Sequence, residues 1–106
     1  MPVWRIRDRR TFEDLRRRGE RHRSGPITVT ALLDAAGQPP RVAYAIGKGV
    51  GSAVVRNKVR RRLRAAVAEL DLPSGAFLIS AAPSAAAATY RELAGSVADA
   101  VESTIR

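Results

Sequence analysis

Cysteine is absent from the 106 residues, histidine occurs once, aromatic side chains make up only 5%, and 10 acids stand against 19 lysines and arginines. Without cysteine there are no disulfides, thiol nucleophiles or thiolate zinc sites, so the fold needs no oxidising compartment and a cytoplasmic location is expected. No apolar run approaches the roughly 18–20 residues of a membrane span, and the opening MPVWRIRDRR lacks the apolar core of a secretory signal. The chain is therefore expected to be soluble, unprocessed and without a membrane partner. One histidine, His22, cannot supply the histidine pair of a metal-free ribonuclease, and it lies in the basic stretch ERHRSG, which suits an RNA contact or plain solvation. The acids are scattered, with no DxD or DxE pair of the kind that gathers two cations. No catalytic residue, protein-bound metal or small-molecule substrate is assigned on these grounds.

What is present is an ordinary globular balance, 45% hydrophobic and 27% charged, in a length that makes one domain spanning residues 1 to 106. The charge is unevenly placed. Residues 1 to 64 hold 17 basic and 5 acidic side chains, net +12, whereas residues 65 to 106 hold 2 and 5, net −3. Genome composition explains a preference for arginine over lysine but not this asymmetry. A cationic surface of this size binds polyanions by releasing their counterions, and arginine adds planar bidentate phosphate contacts and stacking on bases. Nucleic acid is the expected partner.

Residues 8 to 18 read as a short helix capped by Thr11, with Asp14 three residues on and Gly19 as the stop, so that Phe12 and Leu15 share a face. Pro26 to Leu33 alternates as a strand, DAAGQPP supplies turn chemistry, and Arg41 to Lys48 is a second strand with Val42, Tyr44 and Ile46 on one side. A hairpin is expected to join these two strands. The glycine-rich GKGVGS lacks the GxxxxGK[ST] spacing of a phosphate loop and reads as a turn leading to Ser52, the N-cap of a helix over 53 to 70. LPSG turns the chain into an apolar strand, Ala76 to Ala82. A last helix begins at a Thr89/Glu92 capping box and carries Leu93, Val97, Val101 and Ile105. The order helix, strand, strand, helix, strand, helix predicts an α+β sandwich around a small mixed sheet, with a parallel strand pair within residues 41 to 82.

The second helix is the most informative segment. Its RNKVRRRLR places six basic residues in nine, Arg56, Lys58, Arg60, Arg61, Arg62 and Arg64, with no acid before Glu69. At about 100° per residue, Val55, Val59, Leu63, Ala66 and Leu70 form a stripe about 80° wide for packing. Asn57, Lys58, Arg60, Arg61 and Arg64 sweep the remaining surface, and Arg56 and Arg62 border the stripe. Like charges at i,i+4 cost roughly 0.2–0.5 kcal/mol each in an isolated helix, and solvated faces ordinarily interleave both signs. A run kept without acids points to an anionic partner.

The stretch GKGVGSAVVRNKVRRRLRAAV resembles the signature of the bacterial ribonuclease P protein component, and the likeness extends over nearly the whole chain. The resemblance implies an α/β sandwich with a left-handed βαβ crossover, similar to a domain of ribosomal proteins, in a protein that assists a large catalytic RNA in removing the 5′ leader of precursor tRNA. It implies that Arg56, Asn57, Lys58, Arg60, Arg61, Arg62 and Arg64 contact that RNA, that Mg²⁺ is held mainly by the RNA, and that the protein alone is inactive. It further implies a leader cleft containing Phe12, Arg16, Tyr44 and Lys48. Arg16 stands where the family often has a second phenylalanine, Thr30 where an aromatic is common, and Gly49 and Ser52 replace a usual lysine and asparagine, so leader binding is expected to lean on charge, with Tyr44 compensating. A structural ribosomal or RNA-chaperone protein would share the size and charge; the discriminator is the compact Arg-Asn-Lys helix beside a cleft with Phe12, since a ribosomal protein more often carries long basic tails.

Overall fold

The computed structural model describes residues 3–34 and 37–105. Ala35 and Ala36, within the DAAGQPP run, lie outside the described residues. The elements run β1 (Trp4–Arg5), α1 (Arg9–Arg18), β2 (Glu20–Ser24), β3 (Ile27–Leu33), β4 (Arg41–Ile46), α2 (Ala53–Ala68), β5 (Gly75–Ala81) and α3 (Tyr90–Ile105), with 3₁₀ turns at Lys48–Val50 and Pro83–Ala87. All five strands form one mixed sheet in the order β1-β4-β5-β3-β2. The expected α+β architecture holds.

The most apolar strand takes the centre. β5 runs parallel to β4 and antiparallel to β3, in registers that place Phe77 beside Val42 and Ala31, and Ile79 beside Tyr44 and Val29. Those neighbours take up its two backbone edges, and the helices cover its two faces, as its continuous apolar run requires. The expected hairpin between residues 26–33 and 41–48 is therefore corrected: β5 lies between those strands. The true hairpin is β2 with β3, where Ser24 faces Ile27 across Gly25 and Pro26. Gly25 has φ +55°, a left-handed conformation that suits glycine at the first central position of such a turn. β2 itself, ERHRS, has no apolar alternation to betray it, because as an edge strand it is largely exposed.

The helices divide between the two faces. On one face α2 and α3 cover Ile27, Val29, Ala31, Val42, Phe77 and Ile79, with Val59, Leu63, Val67, Leu93, Val97 and Val101 from the helices in the same cluster. The stripe predicted for α2 is this packing surface, extended by Val67. In α3 the expected Ile105 is instead 44% exposed, and the helix buries Ala100 and Thr104 there; the Thr104 hydroxyl donates to the Ala100 carbonyl. On the other face α1 rests on a smaller cluster of Ile6, Leu15 and Ala76, flanked by Leu32, Ala43 and Leu78. The cap of α1 also differs from expectation. Asp8 is the N-cap, accepting from the Thr11 backbone N–H at 3.0 Å and from its hydroxyl at 2.8 Å. Ser52 and the Thr89/Glu92 pair cap α2 and α3 as predicted, the latter by reciprocal bonds of 2.8 and 3.1 Å.

Candidate nucleic-acid interface

Packing one stripe of α2 on the sheet turns the remainder of that helix outward. Asn57, Lys58, Arg61 and Arg64 are exposed and Arg56, Arg60 and Arg62 half-exposed. Ion pairs among the described residues lie elsewhere, joining Arg18 to Asp14 and Arg41 to Asp34, and the His22 ring stands 3.9 Å from Glu20. No carboxylate therefore neutralises the α2 cations within the described residues. Arg60 donates to the Asn57 side-chain oxygen at 2.7 Å, which orients both groups and leaves the Asn57 amide donors facing outward. Arg56 has its Nε buried with no hydrogen-bond partner, a donor that an incoming acceptor would satisfy. Arg62 differs from the rest: its guanidinium donates to the Ala88 carbonyl at 3.0 Å, tying α2 to the segment before α3. Its remaining donors are what it offers to a ligand.

The four residues expected in one cleft are divided by the sheet. Phe12, 39% exposed, and the exposed Arg16 stand on α1, over the face that carries Ala43 and Leu78. Tyr44 alternates with Ala43 along β4 and packs against the α2 side. It therefore cannot replace an aromatic missing beside Phe12, because the backbone of the sheet intervenes. Thr30 is buried beneath the end of α1, where a Cβ on Gly19 would stand 2.8 Å from its methyl group. A small strand residue and a glycine thus occupy the space in which a strand aromatic was expected. Lys48 is exposed in the turn after β4. The basic last turn of α1, Arg16, Arg17 and Arg18, complements the negative end of the helix dipole and adds positive charge beside Phe12.

Tyr44 belongs to a different surface. Its ring lies beneath the Arg64 guanidinium, 5.8 Å from carbon to centroid. Burial raises its phenol above the ordinary value of 10.0, against the opposing pull of Arg64, so it remains a neutral donor at physiological pH. Around it β1, β4 and α2 enclose an open groove of about 900 Å³, lined by Trp4, Arg5, Arg7, Tyr44, Arg60 and Arg64 with apolar neighbours. Sequence reasoning missed Trp4, Arg5 and Arg7 as site residues. Their signal is the alternation in WRIR, a strand pattern too short to stand out until β4 supplies a pairing edge. His22, set in solvent or on RNA by sequence, is half-buried on β2 with Glu20 3.9 Å away.

The chain resembles known proteins both in sequence and in fold. A family model described as Ribonuclease P matches residues 2–104. The ribonuclease P protein component of a Nocardioides species is 42% identical over 95 residues, covering 85% of this chain and 81% of its own. That of Kocuria rhizophila is 39% identical over 105 residues, covering 96% and 92%. Among solved structures, the Staphylococcus aureus RNase P protein superposes with TM-score 0.82 at 19% identity, over 95% of this chain and 94% of that one. The Thermotoga maritima RNase P protein gives 0.81 at 16%, over 93% and 96%. At these identities the solved structures speak for the fold, and the sequence relatives speak for the family.

Proposed function

This chain belongs to the bacterial ribonuclease P protein family, an RNA-binding component of a tRNA-processing endoribonuclease, and from that premise we propose how its surfaces divide the work. The outer face of α2, Arg56, Asn57, Lys58, Arg60, Arg61 and Arg64 with Arg62 at its border, holds the catalytic RNA. The α1 face of the sheet, with Phe12, Arg16 and the nearby arginines, receives the single-stranded 5′ leader of precursor tRNA, and Lys48 extends that charge beyond the end of β4. The observation that carries this reading is the α2 face itself: six cations on one helix with no carboxylate in ion-pair range among the described residues.

In this reading the protein contributes binding and position, and the phosphodiester is hydrolysed by the RNA. Guanidinium and ammonium groups displace counterions from two RNAs at once and relieve the repulsion between them. Phe12 stacks an unpaired leader base, and the arginines of α1 hold the neighbouring phosphates. Mg²⁺ would be held mainly by phosphates of the RNA and would supply the electrophilic chemistry there. Among the described residues no group of three histidine, aspartate or glutamate side chains is placed to hold an ion, and this reading assigns no metal to the protein. Among the described residues no helix is long and apolar enough to cross a membrane, and a part in maturing tRNA precursors implies work in the cytoplasm.

The test is cleavage of a 5′-labelled precursor tRNA by a bacterial ribonuclease P RNA at limiting Mg²⁺, with and without this protein. Correct 5′ processing is expected only when both are present. Tight, salt-sensitive RNA binding without any gain in processing would overturn the assignment of the leader surface.

A further inference from the structure

The groove between β1, β4 and α2 holds Tyr44, Arg60 and Arg64 on the side of the sheet opposite Phe12 and opens at the sheet edge, where Ile6 and Ala43 of the α1-side cluster also line it, so the leader surface accounts for only part of its wall. Its volume of about 900 Å³ is at the upper end of the roughly 300–1,000 Å³ of small-ligand clefts. Four of its lining residues are arginines, Arg5, Arg7, Arg60 and Arg64, and none is acidic. Within it the Arg64 guanidinium stands over the Tyr44 ring, 5.8 Å from carbon to centroid, in cation–π range. The ladder of β1 reaches only Arg41 and Val42, so the outer backbone edge of β4 is left without a strand partner farther along the groove.

Each feature suits one kind of occupant. A flat guanidinium over an aromatic ring is a platform on which a nucleobase stacks, and an unpaired base is the form of RNA that leaves its own stack to do so. Arginines around the platform complement the phosphates on either side of that base. An open strand edge offers backbone donors and acceptors to the base edge. Two of the walls, Arg60 and Arg64, continue directly into the outer face of α2, which selects the strand that face already holds.

We propose that this groove receives one unpaired nucleotide of the catalytic RNA, its base packed on the Arg64–Tyr44 pair and its phosphates held by Arg5 and Arg7. The proposal rests on the reading that α2 binds the catalytic RNA, and it adds a base-stacking site to a surface otherwise described by charge.

Two variants of the full chain test it, Tyr44→Leu, with Tyr44→Phe as the ring-preserving control, and the exposed pair Arg5→Ala with Arg7→Ala. Filter binding to the catalytic RNA across a salt series is the main readout. Tyr44→Leu is expected to weaken binding by roughly tenfold, within the range of a lost base stack, while Tyr44→Phe retains it. The double arginine variant is expected to flatten the salt slope by about two units. Trp4, the only tryptophan, lines the same groove. Hexa-adenylate should quench its emission in the wild type and in Tyr44→Phe, and not in Tyr44→Leu. Wild-type protein that fails to bind the catalytic RNA would remove the α2 reading together with this one. Normal wild-type binding with an unchanged slope in the arginine variant, equal losses in Tyr44→Phe and Tyr44→Leu, or a loss confined to precursor affinity of the assembled enzyme, would overturn the groove proposal alone.

Discussion

At the scale of single residues, two carboxylates and one glycine carry testable consequences. Hydrogen bonds from the Thr11 hydroxyl and backbone hold the Asp8 carboxyl below its ordinary 3.8, and bonds from the Thr89 backbone and hydroxyl hold Glu92 below its ordinary 4.5. A carboxylate with a depressed folded value stabilises the fold fully above its unfolded value and loses that contribution as pH falls through the folded one. The denaturation midpoint of an Asp8→Asn, Glu92→Gln variant is thus expected to lie below wild type at pH 7, with the gap narrowing as pH falls below the ordinary 4.5 and 3.8 and on through the depressed folded values. Gly75 opens β5 with φ +150°, and a Cβ there would stand 2.7 Å from the Leu32 carbonyl oxygen and 2.9 Å from the Leu33 Cα. Both neighbours are backbone and cannot swing aside. Gly75→Ala is expected to cost about 1–3 kcal/mol in chemical denaturation. Ser52 and the Thr89/Glu92 box are readable because each stands alone before an amphipathic run. Asp8 and Thr11 are both cap-forming residues three apart, and only the backbone path entering α1 decides which of them turns to accept.

At the scale of elements, α2 is the most legible and the edge strands the least. A helix of 3.6 residues per turn converts linear spacing directly into faces, so its packing stripe and its cationic surface can both be placed from the order of residues. If that surface holds RNA, Arg60→Ala with Arg61→Ala weakens binding of the catalytic RNA and flattens the salt slope by about one unit for each phosphate left without its arginine, measured by filter binding between low and high salt. An unchanged slope would move the RNA to another face. β2 and β1 escape notice for a common reason. An edge strand needs a neighbour's hydrogen bonds more than it needs an apolar face, and ERHRS and WR show little of the alternation that a half-buried strand displays.

For the whole molecule, the sheet acts as a partition. Phe12 and Tyr44 stand on opposite sides of it, so the effects of removing them should combine independently: kcat/KM of the assembled enzyme for precursor tRNA, with both RNA and substrate subsaturating, is expected to show a coupling within roughly 0.5 kcal/mol in the Phe12→Leu, Tyr44→Leu cycle. A larger coupling would mean that one strand of RNA bridges both surfaces. The class of fold, the RNA partner and the outward cations of α2 are all present in the linear order of residues, because periodicity, caps and charge are local quantities. The order of strands is not. Inserting β5 between β3 and β4 depends on which apolar strand gains most from burial on both faces, a comparison among segments distant in the chain. That same insertion decides that Tyr44 faces α2 and not Phe12, and the pairing of β1 with β4 brings Trp4, Arg5 and Arg7 to a groove. Adjacency between remote segments is a property of packing, and only the tertiary structure contains it.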